Sequence, residues 1–152
     1  MIGIYRGADL PTGMRDVVVA LWQVSDPGNV GTLLRTADAF GAGVSLSVEC
    51  ADPLGPRALR ASAGAIFRVP LIPWDEVPAR KVALVAHGGE PLAGLALDPP
   101  LTLLLGSERE GLPEELAAQC ENASIPTPGD AESLNVAAAG AIALYELSTR
   151  HG

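Results

Sequence analysis

Residues 17–41 read Val17-Val-Val-Ala-Leu-Trp-Gln-Val24, then Ser25-Asp-Pro-Gly-Asn29, then Val30-Gly-Thr-Leu-Leu-Arg35-Thr-Ala-Asp-Ala-Phe40-Gly41. The first eight residues form an apolar run opening with three valines, the profile of a strand buried on both faces. The next five are dense turn chemistry. Val30, Leu33, Leu34, Ala37 and Phe40 then recur at helical spacing, and Gly41 stands where glycine closes a helix. Asn29 falls at the helix start, where asparagine is a good N-cap. A buried strand feeding an amphipathic helix is the repeating unit of a parallel sheet.

The same alternation extends outward along the chain. Val44–Val48 reads as a second strand, and Pro56–Gly64 as a helix with proline in its first turn. Ile66–Leu71 reads as extended, and Val82–Ala86 as a strand followed by the Gly- and Pro-rich stretch His87–Pro100. Leu101–Leu105 is another strand, Pro113–Cys120 a short helix, Ala123–Pro126 a short strand, and Glu132–Thr149 a last helix. Ile2–Arg6 adds a candidate edge strand. The expectation is an α/β fold with a mostly parallel sheet and helices on both faces. No internal repeat, linker or low-complexity tract divides residues 1–152, so a single domain is expected.

Composition narrows the function. No apolar run approaches the roughly 18–20 residues of a membrane span, and the first residues lack the pattern of a signal peptide. Two cysteines, Cys50 and Cys120, make neither a disulfide framework nor a zinc motif, and a cytoplasmic protein is expected. The net charge is −8 and the pI about 4.6, which leans away from nucleic acid. The charge is uneven, however. Between Asp52 and Asp75 stand Arg57, Arg60 and Arg68 with no acid, whereas Glu108–Glu146 holds eight acids and one base, Arg109. Lys81 is the only lysine, which disfavours lysine-centred chemistry.

The common nucleotide and metal motifs are absent: no G-x-x-x-x-G-K, no G-x-G-x-x-G, no H-E-x-x-H. Three other segments carry polar residues where a plain α/β domain needs only turns. The first is Asn29–Gly41, with Arg35 in the middle of an apolar helix and only Asp38 in helical reach. The second is Leu105-Gly-Ser-Glu108-Arg-Glu-Gly111-Leu, a strand running straight into two glycines, the arrangement that lets a ligand approach backbone at a sheet edge. The third is Ile125–Glu146, a proline-stiffened loop in which Ser133 and Asn135 lead into a helix of small and aliphatic residues.

In this order the three segments resemble the motifs of the SpoU-type (TrmH-like) RNA 2′-O-ribose methyltransferases of the SPOUT class. The pattern is N-x-G-x-x-x-R-x-A-x-x-F-G, then G-S-E-x-x-G-L, then I-P-x-x-G-x-x-E-S-L-N-V. Arg60-Ala-Ser-Ala-Gly-Ala-Ile-Phe-Arg68-Val-Pro70 is similar to a further stretch of that family. The resemblance implies a deep C-terminal trefoil knot, which the general rarity of knots argues against. It implies S-adenosylmethionine as cofactor, held by Leu84, Val85, Ala86, Gly106, Ser107, Gly111, Ile125 and Leu134. It also implies a homodimer with shared active sites, and tRNA or rRNA as substrate.

Roles follow from the resemblance and from chemistry. Arginine is a poor base, so Arg35 is expected to bind the hydroxyl oxygen and the adjacent phosphate, stabilising developing charge. Asn29, Ser133 and Asn135 are expected to orient these groups. Glu108 is expected to hold Arg35 or the substrate and to be able to accept a proton. Arg57, Arg60 and Arg68 are the expected RNA contacts, and no metal is expected. Relatives often carry an extra N-terminal RNA-binding domain, and the motifs here begin within 30 residues of Met1. The chain is therefore either a minimal enzyme or a catalytic domain of a longer protein, the acidic pI fitting the second. The rivals are a non-catalytic knotted dimer and a nucleotide-binding oxidoreductase, the latter without its glycine fingerprint.

Overall fold

The computed structural model describes residues 6–151. Its strands are β1 (Val17–Leu21), β2 (Gly43–Leu46), β3 (Lys81–Leu84), β4 (Glu90–Pro91), β5 (Leu101–Leu105) and β6 (Glu121–Ser124). Its α-helices are α1 (Pro27–Ala39), α2 (Pro56–Ser62), α3 (Glu114–Ala117) and α4 (Val136–His151). The strands form one sheet in the order β2-β1-β5-β3-β6-β4, and every pairing is parallel.

The central strands explain the unbroken apolar runs. In β1 and β5, Val18, Val19, Leu21, Leu101 and Leu103 are fully or almost fully buried, because both faces of the sheet are covered. The coverage is unequal. On one face Val19, Leu21, Val82, Leu103 and Leu105 pack with Leu33, Leu34 and Ala37 of α1 and Ala143, Leu144 and Leu147 of α4. On the other, Ala20, Ala83 and Leu104 meet Trp74, Leu112, Leu116 and Cys120, supplied by a loop and the single turn of α3. Gly140 shows why α4 is built of small residues: a Cβ there would overlap Leu33 of α1 and crowd Leu105 of β5.

The topology places the functional edge. The chain leaves β1 toward β2 on one side and leaves β5 toward β6 on the other. The crevice between their carboxyl ends is the switch point where open α/β sheets bind ligands. Residues 22–29 and 106–112 meet there.

Several boundaries differ from expectation. The N-cap of α1 is Asp26, whose side chain accepts from the Gly28 N–H at 2.9 Å, and Asn29 lies inside the first turn. β1 ends at Leu21, and Gln23 takes a left-handed φ of 50°. β2 ends at Leu46, leaving Val48 81% exposed. The extended segment expected at Ile66–Leu71 is instead a 3₁₀ turn, Ala65–Phe67, with only Leu71 bridging to Val44. The helix expected from Glu132 starts at Val136, because Asn135 precedes it as a cap; its Oδ1 accepts from Ala137 N and Ala138 N at 2.9 and 3.2 Å. The Ile2–Arg6 strand falls, but for Arg6, outside the described residues; Arg6 itself belongs to no strand.

Candidate functional site

Beyond β5 the chain folds into a tight hairpin. Ser107 N donates to Gly111 O at 3.0 Å and Gly111 N to Ser107 O at 3.1 Å. Gly111 has φ +67°, and a Cβ at Gly106 would overlap the backbone of Gly111. Glycine at both positions is thus required by the hairpin itself, which leaves the side chains of residues 108–110 facing outward.

Glu108 ties this hairpin to the loop before α1. Its carboxylate accepts from Ser25 N at 3.2 Å, Asp26 N at 3.0 Å, Ser25 Oγ at 3.4 Å and Asn29 Nδ2 at 3.2 Å. Asn29 Oδ1 in turn accepts from Asn135 Nδ2 at 3.1 Å. One chain of hydrogen bonds therefore joins segments 79–106 residues apart. Burial works against the charge on Glu108, but donation from the Asp26 backbone, its own backbone, the Asn29 amide and the Ser25 backbone outweighs that and holds the carboxyl below its ordinary range. A carboxylate filled by donors serves as an anchor. It makes no bond to Arg35, one of the two partners, Arg35 or the substrate, expected for it.

Two cavities adjoin this network. The larger, about 510 Å³, is lined by the ends of β3, β5 and β6 and by the loop before α4. The smaller, about 420 Å³, is lined by Ser25, Asp26 and Asn29. Both share Ser107, Glu108, Arg109 and Glu110. Among the described residues no group of three His, Cys, Asp or Glu side chains is placed to hold a metal ion, and no helix is long and apolar enough to cross a membrane.

Residues 16–145 match the family model described as the SpoU rRNA methylase family. The chain belongs to this family. It is 35% identical over 139 residues to a 23S rRNA (uridine(2479)-2′-O)-methyltransferase of Streptomyces viridochromogenes, covering 80% of this chain and 48% of that protein. An AdoMet-bound rRNA methyltransferase from Sinorhizobium meliloti superposes with a TM-score of 0.82 at 37% identity, over 94% of this chain and 59% of the other. A structure described for 2-OH methylation of C/U34 on tRNA superposes at 0.83 with 32% identity, over 89% and 95%. The chain spans about half the length of the curated relatives it matches.

Within this SpoU-family fold, the residues singled out by sequence separate into three groups. Leu84, Val85, Ala86, Gly106, Ser107, Gly111, Ile125 and Leu134 all line the larger cavity, with Glu108, Ser133 and Asn135. Asn29 lines the smaller one. Arg35, Arg57, Arg60 and Arg68 line neither. Arg35 is exposed on α1 and its side chain bonds to nothing among the described residues; Asp38, its expected partner, is held by Arg68 at 2.6 and 2.9 Å. Arg57 approaches Asp26 at 3.7 Å, and Arg60 is exposed. Sequence reasoning gave no role to Arg109, Glu110, Thr127 or Glu132, which also line the larger cavity. For Arg109 the signal was present: it is the one base among the acids of Glu108–Glu146.

Proposed function

We propose that this chain is the catalytic domain of an S-adenosylmethionine-dependent methyltransferase that modifies a ribose 2′-hydroxyl of tRNA or rRNA in the cytoplasm. The observation that carries the proposal is the junction of two cavities at the switch point, with all three motif segments converging on it. The larger cavity suits the cofactor. Its volume of about 510 Å³ falls within the roughly 300–1,000 Å³ of small-molecule sites. Leu84, Ile125, Leu134 and Val136 offer apolar contact, while Ser107, Thr127 and the backbone at Gly106–Gly111 offer polar groups. When bound there, the cofactor supplies a methyl group on a positively charged sulfur.

The protein's share is positioning. The Glu108–Asn29–Asn135 network fixes the loop before α1 against the hairpin after β5, so the mouth shared by the cavities is held in one geometry. Holding the hydroxyl in line with the methyl group supplies much of the rate. Ser133, exposed at the rim of the larger cavity, is placed to orient the ribose. Arg35 acts on the hydroxyl and its phosphate, and does so in a homodimer. An exposed stripe on α4, with Ile142 at 42% and Tyr145 at 60% exposure, together with Phe40 at the end of α1, supports a second copy covering this face. Arg35 stands on the exposed surface of α1, from which it reaches the cavity of that second copy.

The C-terminal trefoil knot belongs to the same proposal. Support comes from the path of α4, which follows the near-edge strand β6 yet packs on α1 and β5, while Arg150 bonds back to the carbonyls of Leu92, Ala93 and Leu95. The net charge of −8 favours RNA grip by an additional basic domain. The test is incubation with labelled cofactor and total bacterial tRNA and rRNA, followed by nucleoside mapping. A labelled 2′-O-methylnucleoside is expected. Label on a base, or none despite bound cofactor, overturns the proposal.

A further inference from the structure

We propose that Arg109 is a substrate-positioning residue that binds the phosphate flanking the reacting ribose, a role that rests on the methyltransferase function proposed above. A 2′-hydroxyl lies on the carbon next to the one bearing the 3′-phosphate, so a phosphate enters the site whenever the hydroxyl does. The walls that receive it are acidic: Asp26, Glu108, Glu110 and Glu132 line the two cavities. Among the described residues Arg109 is the only cation lining either, and it lines both, at their junction.

Its guanidinium is unspent. Arg109 is exposed and has no hydrogen bond or ion pair among the described residues. The neighbouring acids do not take it: Glu108 is filled by Ser25, Asp26 and Asn29, and Asp26 caps α1 and faces Arg57. Nor is Arg109 needed for the fold, because the hairpin is closed by Ser107 and Gly111 and made possible by Gly106. A planar fork of five donors at the mouth suits a phosphate's oxygens. Arg35 lines neither cavity of its own chain, so Arg109 is the guanidinium this chain brings to its own site, beside the Arg35 that a second copy brings to the hydroxyl.

The experiment compares wild type with Arg109→Ala and Arg109→Lys in three measurements. S-adenosylhomocysteine affinity is measured by calorimetry. Methyl transfer is measured on whichever of total tRNA or 23S rRNA the wild type modifies. Binding of a mixed-sequence single-stranded RNA is followed against salt by fluorescence anisotropy. Arg109→Ala is expected to lower kcat/KM for RNA by about 10- to 100-fold, the loss typical of a hydrogen bond to a charged group. It also lowers the salt slope by about 0.7, the value of one single-strand phosphate. Cofactor affinity stays within twofold. Arg109→Lys keeps most of the slope because it keeps the charge. Weakened cofactor affinity with unchanged RNA use assigns Arg109 to the cofactor's carboxylate and overturns the proposal, as does no change in any measurement. A wild type that transfers no methyl group refutes the function proposed above, while the anisotropy difference still reads the Arg109 contact.

Discussion

Arg80 and Arg150 use the same side chain as Arg35, Arg60 and Arg109 to opposite ends. Arg80 donates to Glu121 at 2.8 and 3.2 Å, to the Asp98 carbonyl at 3.2 Å and to the Ala96 carbonyl. Arg150 donates to Glu146 at 2.6 and 3.1 Å, to the carbonyls of Ala93 and Leu92 at 2.8 and 3.3 Å, and to that of Leu95. Together they fasten residues 92–98, a 3₁₀ turn at Leu92–Gly94 running into a segment outside the sheet. Arg35, Arg60 and Arg109 are exposed, and their side chains bond to nothing among the described residues. A guanidinium whose donors are consumed within the protein is structural, and one whose donors are open is available to an anion. Arg68, grouped by sequence with Arg57 and Arg60, belongs to the first kind through its pairing with Asp38.

The sharpest break in this comparison comes from Arg35. Arg35→Ala is expected to lower turnover by about 10²–10³ at saturating RNA and cofactor, the usual loss when a transition-state donor is removed, with cofactor affinity within a few-fold. Arg35→Lys fails too, because a point charge does not replace a planar fork. Equal turnover in wild type and variant removes Arg35 from the chemistry. Next comes Arg150→Ala, which strips partners from three carbonyls and from Glu146 and should cost about 2–3 kcal/mol, read as a lower urea midpoint. A variant as stable as wild type dissolves the structural class.

Glu108 has a smaller, pH-dependent effect. Its folded pKa lies below the unfolded value, so its contribution is complete above about pH 4.3 and is lost as pH falls through the folded value. Wild type should therefore exceed Glu108→Gln in stability at pH 6, and the gap should close as pH falls below the ordinary carboxylate range; a gap independent of pH contradicts the anchor. The smallest effect separates Arg60 from Arg68. Arg60→Ala should reduce the salt slope of RNA binding by about 0.7, and Arg68→Ala by clearly less, because Asp38 already neutralises it. Equal reductions merge the two.

Legibility in the sequence followed the length and locality of the signal. β1 and β5 were readable because both faces of each are buried; of the eight residues expected around the cofactor, the second and third motifs marked Gly106, Ser107, Gly111, Ile125 and Leu134, while Leu84, Val85 and Ala86 follow a strand outside any motif, and all eight line one cavity. β4 was not readable: Glu90–Pro91 is too short to show alternation, and it is placed by β6 and by Ser124 Oγ donating to Gly89 O. Asn29 was read as a cap because it has the right chemistry, but Asp26 stands one residue before Pro27, where the helix begins. The partners of Glu108 and the carbonyl partners of Arg150 lie 55–83 residues away, so no local pattern announces them; only the i,i+4 pair of Arg150 with Glu146 is local.

The position of β5 carries a consequence for the order of events during synthesis. β1 and β3 pair with β5, which lies between them, and not with each other. A nascent chain that has exposed its residues only as far as Pro100 holds β1 and β2 as one fragment with an open, valine-rich edge, and β3 as another. Long-range pairing of this kind is slow, because closure of the intervening loop must precede any gain, and open edges attract other chains. Emergence of Leu101–Leu105 from the ribosome is therefore the step that joins the two fragments, before β6 completes the sheet, and shielding by a chaperone matters most before it.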